Sequence, residues 1–98
     1  SLGAGGPRVV AQSATPDETF ALAASAAREV GVVVVDVDAY GVGFVTDLRT
    51  VFPSLRVIAL SRDPKRRTLA VRAGAVLALP RATTPKQLGK AIALVAGG

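Results

Sequence analysis

A chain of 98 residues, half of them hydrophobic and with a net charge of +5, is sized for one domain and not two. It has no cysteine, which excludes disulfides, thiolate catalysis and Cys-based metal sites, and no histidine, which excludes His-based metal sites and a Ser-His-Asp triad. No apolar run approaches the roughly 18 residues of a transmembrane helix, and no basic-then-apolar leader opens the chain, so a cytoplasmic domain is expected.

The first seven residues, SLGAGGP, have no periodicity and read as a linker or a leftover of cloning, with the domain proper over 8–98. GAGG is not a phosphate loop, because no strand precedes it and neither GxGxxG spacing nor a Lys-Ser/Thr pair follows. Arg8 to Ser13 reads as a short strand. Thr15-Pro16-Asp17-Glu18 then opens a helix, with Thr15 as cap, Pro16 at the first helical position and Glu18 completing a capping box. That helix runs to about Val30 with Phe20, Ala23, Ala24 and Ala27 inward.

Val32 to Asp36 is the second strand, and its run of valines suits a parallel strand covered on both faces. A helix from about Val42 to Phe52 carries Phe44, Val45, Leu48, Val51 and Phe52 at helical spacing. Leu55 to Leu60 is the third strand. Asp63-Pro64 opens a third helix that ends at Gly74, a residue suited to the position just past a helix. Ala75 to Leu79 is the fourth strand. Thr84-Pro85-Lys86-Gln87 repeats the capping chemistry, and the last helix aligns Leu88, Ala91, Ile92 and Val95. The pattern is (βα)4, an α/β open parallel sheet with right-handed crossovers.

Such sheets bind ligands beyond the C-terminal ends of their strands. Here that edge carries Gln12 and Ser13, then Asp36 and Asp38, then Ser61 and Arg62, then Arg81. An acid, a hydroxyl and a guanidinium therefore stand on successive strand ends. Asp38, two residues beyond Asp36, is read as a turn or helix-capping residue. Arg62, Lys65, Arg66 and Arg67 form a basic cluster, read as a solvated first turn with a docking surface as the alternative. Neither a helix-turn-helix nor a zinc module is present, so direct nucleic-acid binding is not expected. With no His or Cys and few carboxylates, neither is an independent enzyme.

Asp36 after VVVV, Ser61 in VIALSRD and Arg81 in LPRATTPKQL resemble, in order and spacing, the receiver domain of bacterial two-component response regulators. FPSLRVIALS and AGAVLALP read in the same way. The resemblance spans about Arg8 to Val95 and implies a flavodoxin-like fold. It implies Asp36 as the phosphoacceptor position, Ser61 as the switch hydroxyl, and Arg81 in place of the family's Lys. It also implies Mg²⁺ at Asp36, a sensor histidine kinase or other signalling protein as partner, and an effector domain outside this sequence.

The chain departs from the family in several ways. The family has five βα units, and the first, whose strand ends in the acidic pair that holds Mg²⁺, has no counterpart here. Asp36 could therefore join a Mg²⁺ site only if an acidic pair came from outside this sequence. Arg81 keeps the charge of Lys but presents a planar fork. Ala39-Tyr40 replace the usual Met-Pro, and Ala78 the usual aromatic.

The family strand order is 2-1-3-4-5, so the absent strand is a central one. Either the first strand here slides beside the second, giving order 1-2-3-4, or a segment from elsewhere fills the gap. In the first case only the last helix covers one face, apolar sheet is left exposed, and a homodimer is expected. The first reading is thus a receiver-like domain that signals through protein contacts and is degenerate in phosphorylation. The alternatives are an active Asp phosphoacceptor whose first unit lies outside this sequence, and a small phosphate- or nucleotide-binding module using Asp36, Ser61 and Arg81.

Overall fold

The computed structural model describes residues 8–10 and 31–97. Four strands, β1 (Arg8–Val10), β2 (Gly31–Asp36), β3 (Arg56–Ser61) and β4 (Leu77–Pro80), form one sheet in the order β1-β2-β3-β4. Every neighbouring pair is parallel. The described helices are α1 (Val37–Tyr40), α2 (Gly43–Val51), α3 (Pro64–Arg72) and α4 (Pro85–Gly97). Segment 1–7 and the expected helix over Thr15 to Val30 lie outside the described residues, as do Gln12 and Ser13. Among the described residues the architecture is an open parallel flavodoxin-like sheet in which β1 pairs directly with β2.

The valine run explains the layering. Val32, Val33, Val34 and Val35 are all at most 1% exposed, so β2 is covered on both faces. Alternate residues enter opposite cores because strand side chains have a period of two. Val33 and Val35 join Phe44, Val45 and Leu48 of α2, Val57 and Ala59 of β3, and Ala70 of α3. Val32 and Val34 join Ile58 and Leu60 of β3 with Leu88 and Ile92 of α4. Right-handed crossovers put α2 and α3 on one face, and α4, which follows the last strand, packs on the other. Each wholly buried valine contributes on the order of 1.5 kcal/mol. Apolar surface remains at the β4 edge, where Val76 is 50% and Leu94 75% exposed.

The helix ends follow their local chemistry. Asp63 caps α3 by accepting from the Lys65 amide at 2.9 Å, with Pro64 behind it. Thr84 and Gln87 form the reciprocal capping box, each side chain meeting the other's amide at 3.2 Å. Past α3, Gly74 N–H donates to Val71 and Ala75 N–H to Ala70, a Schellman closure with Gly74 at φ +121°. At the far end of the sheet Arg56 donates from Nη1 to the carbonyls of Val95 and Ala96, at 2.7 and 3.1 Å, and holds the last turn of α4.

The structure departs from the sequence reading in four places, the first being β4, which starts at Leu77 and not at Ala75. The short helix α1 was not anticipated. Val51 was assigned to the inward stripe of α2 but is 55% exposed. The helix closes there, and the half-buried Phe52 packs against the core in its place. The third strand is shifted one residue onward, because Leu55 is spent in a turn whose amide meets the Phe52 carbonyl.

Candidate functional site

The parallel register aligns the strand ends that carry the candidate residues. Asp36 lies opposite Leu60 and Ser61 opposite Pro80, so Asp36, Ser61 and Arg81 leave the sheet at one rim. Asp36 is both the last residue of β2 and the N-cap of α1. Its Oδ1 accepts from the amides of Asp38 and Ala39 at 3.0 and 3.3 Å. Its Oδ2 faces Arg81 Nη2 at 3.2 Å.

Asp38 lies beyond the end of β2, inside α1. The α1 turn carries Asp38 toward the end of β3, and it does not cap α1. Its Oδ1 accepts from the Ser61 hydroxyl at 2.7 Å and from Arg66 Nη1 at 3.0 Å, and its Oδ2 accepts from the Arg62 amide at 2.9 Å. These contacts lower the Asp38 pKa to about 2, the Arg62 amide first, then the Ser61 hydroxyl, with the Arg66 guanidinium adding to them.

Ser61 is fully buried. Its hydroxyl oxygen also accepts from the Asp63 amide at 3.0 Å, so Ser61 links the α1 turn to the start of α3. The Ser61 carbonyl in turn accepts from the Arg81 amide at 3.2 Å and from Arg67 Nη1 at 2.8 Å. The rim is a closed network in which each carboxylate has a guanidinium of the same chain: Arg81 on Asp36, Arg66 on Asp38.

Sequence reasoning missed the roles of Arg66 and Arg67, which were read only as members of a basic cluster. Their partners lie 28 residues away in one case and 6 in the other. The helical period puts Arg67 N-terminal enough on α3 to reach back to Ser61, a signal that was available. Nothing local signalled the Arg66–Asp38 pair.

The described residues do not fit a Mg²⁺ ion. That ion takes oxygen ligands in near-ideal octahedral geometry. Here the oxygens of Asp36 serve two amides and a guanidinium, and those of Asp38 serve a hydroxyl, an amide and another guanidinium. Among the described residues no group of three metal-ligating side chains assembles. Nor is any helix among them long and apolar enough to cross a membrane.

The parallel sheet and the position of the rim define a receiver-like α/β domain. The crystal structure of a CheY-like protein (tadZ) from Pseudomonas aeruginosa PAO1 superimposes with a TM-score of 0.63 at 26% identity, covering 90% of this chain and 72% of that one. No protein-family model matches the sequence, and neither does any curated protein.

Proposed function

We propose that this is a signalling domain of the two-component type that works through protein contacts and not through a phosphoryl group on Asp36. The observation that supports this reading is that Asp36 Oδ1 is taken up by two α1 amides, while the neighbouring Asp38, the other rim carboxylate, has both oxygens held by Ser61, the Arg62 amide and Arg66 and so offers none to a cation beside Asp36. A phosphoacceptor carboxylate must present an oxygen lone pair to an incoming phosphorus, with a cation to offset the repulsion between anions. Asp36 has one oxygen committed to capping α1 and the other facing Arg81. The Ser61 hydroxyl, in the switch position, is committed to Asp38.

In this reading the domain is a non-enzymatic binding module of the cytoplasm. Its partners are other signalling proteins, a sensor kinase among them, and an effector domain lies outside this sequence. The apolar strip around Val76 and Leu94 offers a surface for such contacts, including a homodimer.

A second reading, an active phosphoacceptor, draws on the exposed Arg81 fork, which could turn from Asp36 to a phosphoryl group. Incubation with a small-molecule phosphodonor and Mg²⁺, followed by mass spectrometry, separates the two. The expected result is an unmodified protein. A phosphoryl adduct that disappears in Asp36→Asn would overturn the proposal and establish the second reading.

A further inference from the structure

We propose that the cleft between the head of β4 and the last turns of α4 binds a small aliphatic carboxylate, its tail against Val76, Leu77, Leu94 and Val95 and its charged end on the Arg56 guanidinium. This goes beyond the reading above, which asks only that the strip be apolar, and it lies at the end of the sheet opposite the rim.

The parallel topology builds the cleft. Strands that finish together at the rim also begin together at the other end. Arg56, the first residue of β3, therefore stands beside Val76 and Leu77 at the head of β4. The Val76 amide donates to the Val57 carbonyl at 2.9 Å and fixes that approach. The chain then returns through α4, which brings Leu94 and Val95 to the same end, where Arg56 holds the last turn. Among the described residues β4 is the outermost strand on this side, so no neighbour fills the space. What remains is a cleft of about 360 Å³ lined by Arg56, Val76, Leu77, Leu94 and Val95. That volume lies within the span of small-ligand sites, and the lining has their composition: apolar walls with one fixed polar group.

The bonding of Arg56 selects the ligand's charge and shape. Nη1 spends its N–H groups on the carbonyls of Val95 and Ala96, which anchors the guanidinium in place. Nη2 and Nε carry the other N–H groups, and no partner among the described residues takes them. Together they form the edge of the guanidinium that matches the two oxygens of a carboxylate. The charge is unmatched too. Helix-end carbonyls carry only a partial negative charge. The carboxylates of Asp36 and Asp38 are paired with Arg81 and Arg66 at the rim, and Asp63 caps α3. An alcohol would leave this half-buried cation without a counterion, and an amine would repel it.

The test is an NMR titration of the full chain with octanoate, kept below its micelle-forming concentration. It reads the methyl signals of Val76, Leu77, Leu94 and Val95 and the Nε–H signal of Arg56. These should shift together and saturate, while the methyls of Val45 and Leu48, in the opposite core layer, stay in place. Octan-1-ol, with the same tail and no charge, should bind about tenfold more weakly, the loss of one charge-assisted bond. Shortening the acid should weaken binding by up to about fourfold for each CH₂ removed. Arg56→Lys keeps the charge and loses the fork, so most of the preference for acid over alcohol should go. Leu94→Ala should weaken both ligands severalfold and leave that preference intact. The proposal is overturned if octan-1-ol matches octanoate, if butyrate matches octanoate, or if Val45 and Leu48 move as far as Leu94. Should Arg56→Lys not fold, the wild-type comparison of acid with alcohol still decides. A phosphoryl group on Asp36 would leave all of these outcomes unaltered, so the two proposals fail separately.

Discussion

Replacing Gly74 with alanine tests how the β3–α3–β4 segment carries Arg81 to the rim. Gly74 has φ +121°, a conformation that L side chains rarely adopt, and imposing it on alanine costs roughly 1–3 kcal/mol. Space adds to this. A Cβ at position 74 would lie 2.8 Å from Arg49 Cγ and 3.4 Å from Arg49 Cβ. The Arg49 stem cannot yield freely, because its Nη1 donates to the carbonyls of Pro53 and Leu55 and ties down the turn that leads into β3. Displacing it weakens two charge-assisted bonds, worth about 1 kcal/mol together at a half-exposed site. Gly74→Ala should therefore destabilise the protein by about 2–4 kcal/mol, read as a lower urea midpoint at unchanged m-value. In an Arg49→Ala background the penalty should shrink by about 1 kcal/mol, as the overlap is relieved and the dihedral cost remains. A penalty below about 1 kcal/mol in the wild-type background, or one that Arg49→Ala leaves unaltered, would refute this account.

Two further outcomes follow from the same contacts. The Asp38 pKa lies at about 2, below its ordinary value of 3.8, so the charged form is favoured by folding. Its contribution is complete above pH 4 or so and is lost as pH falls toward 2; acid titration of Asp38→Asn, followed by circular dichroism, should lack that component of the decline. Arg56→Ala removes the bonds to Val95 and Ala96, so amide exchange in the last turn of α4 should accelerate severalfold while the α2 amides keep their protection.

The alternation of elements was legible because each is marked by local chemistry. Four valines in a row make a two-sided strand, Asp63-Pro64 and Thr84-Pro85 open helices through their caps, and Gly74 closes one. The rim position of Asp36, Ser61 and Arg81 was legible for a topological reason: parallel strands all end at the same edge. The wiring within that rim was not. Whether Ser61 bonds Asp36 or Asp38 depends on where β2 gives way to helix, a decision made over one residue. Asp36 takes the capping role, α1 begins, and Asp38 swings toward β3. The Asp-x-Asp spacing was a usable hint, since an aspartate at a strand end readily caps the turn after it. The Arg66–Asp38 pair joins residues that only the folded sheet brings together.

The uniform composition of β2 has a consequence for how the sheet finds its alignment. A strand normally resists sliding because a one-residue slip turns its greasy side outward. Four identical valines remove that resistance, since every shifted frame still offers valine to both layers. The frame must then be set at the strand's end. Sliding Asp36 inward by one place would push its charge into the sealed position of Val35, which is 0% exposed, and strip it of Arg81, at a cost of several kcal/mol. The carboxylate that ends the run is therefore also its ruler, and neutralising it should loosen the alignment of the whole strand.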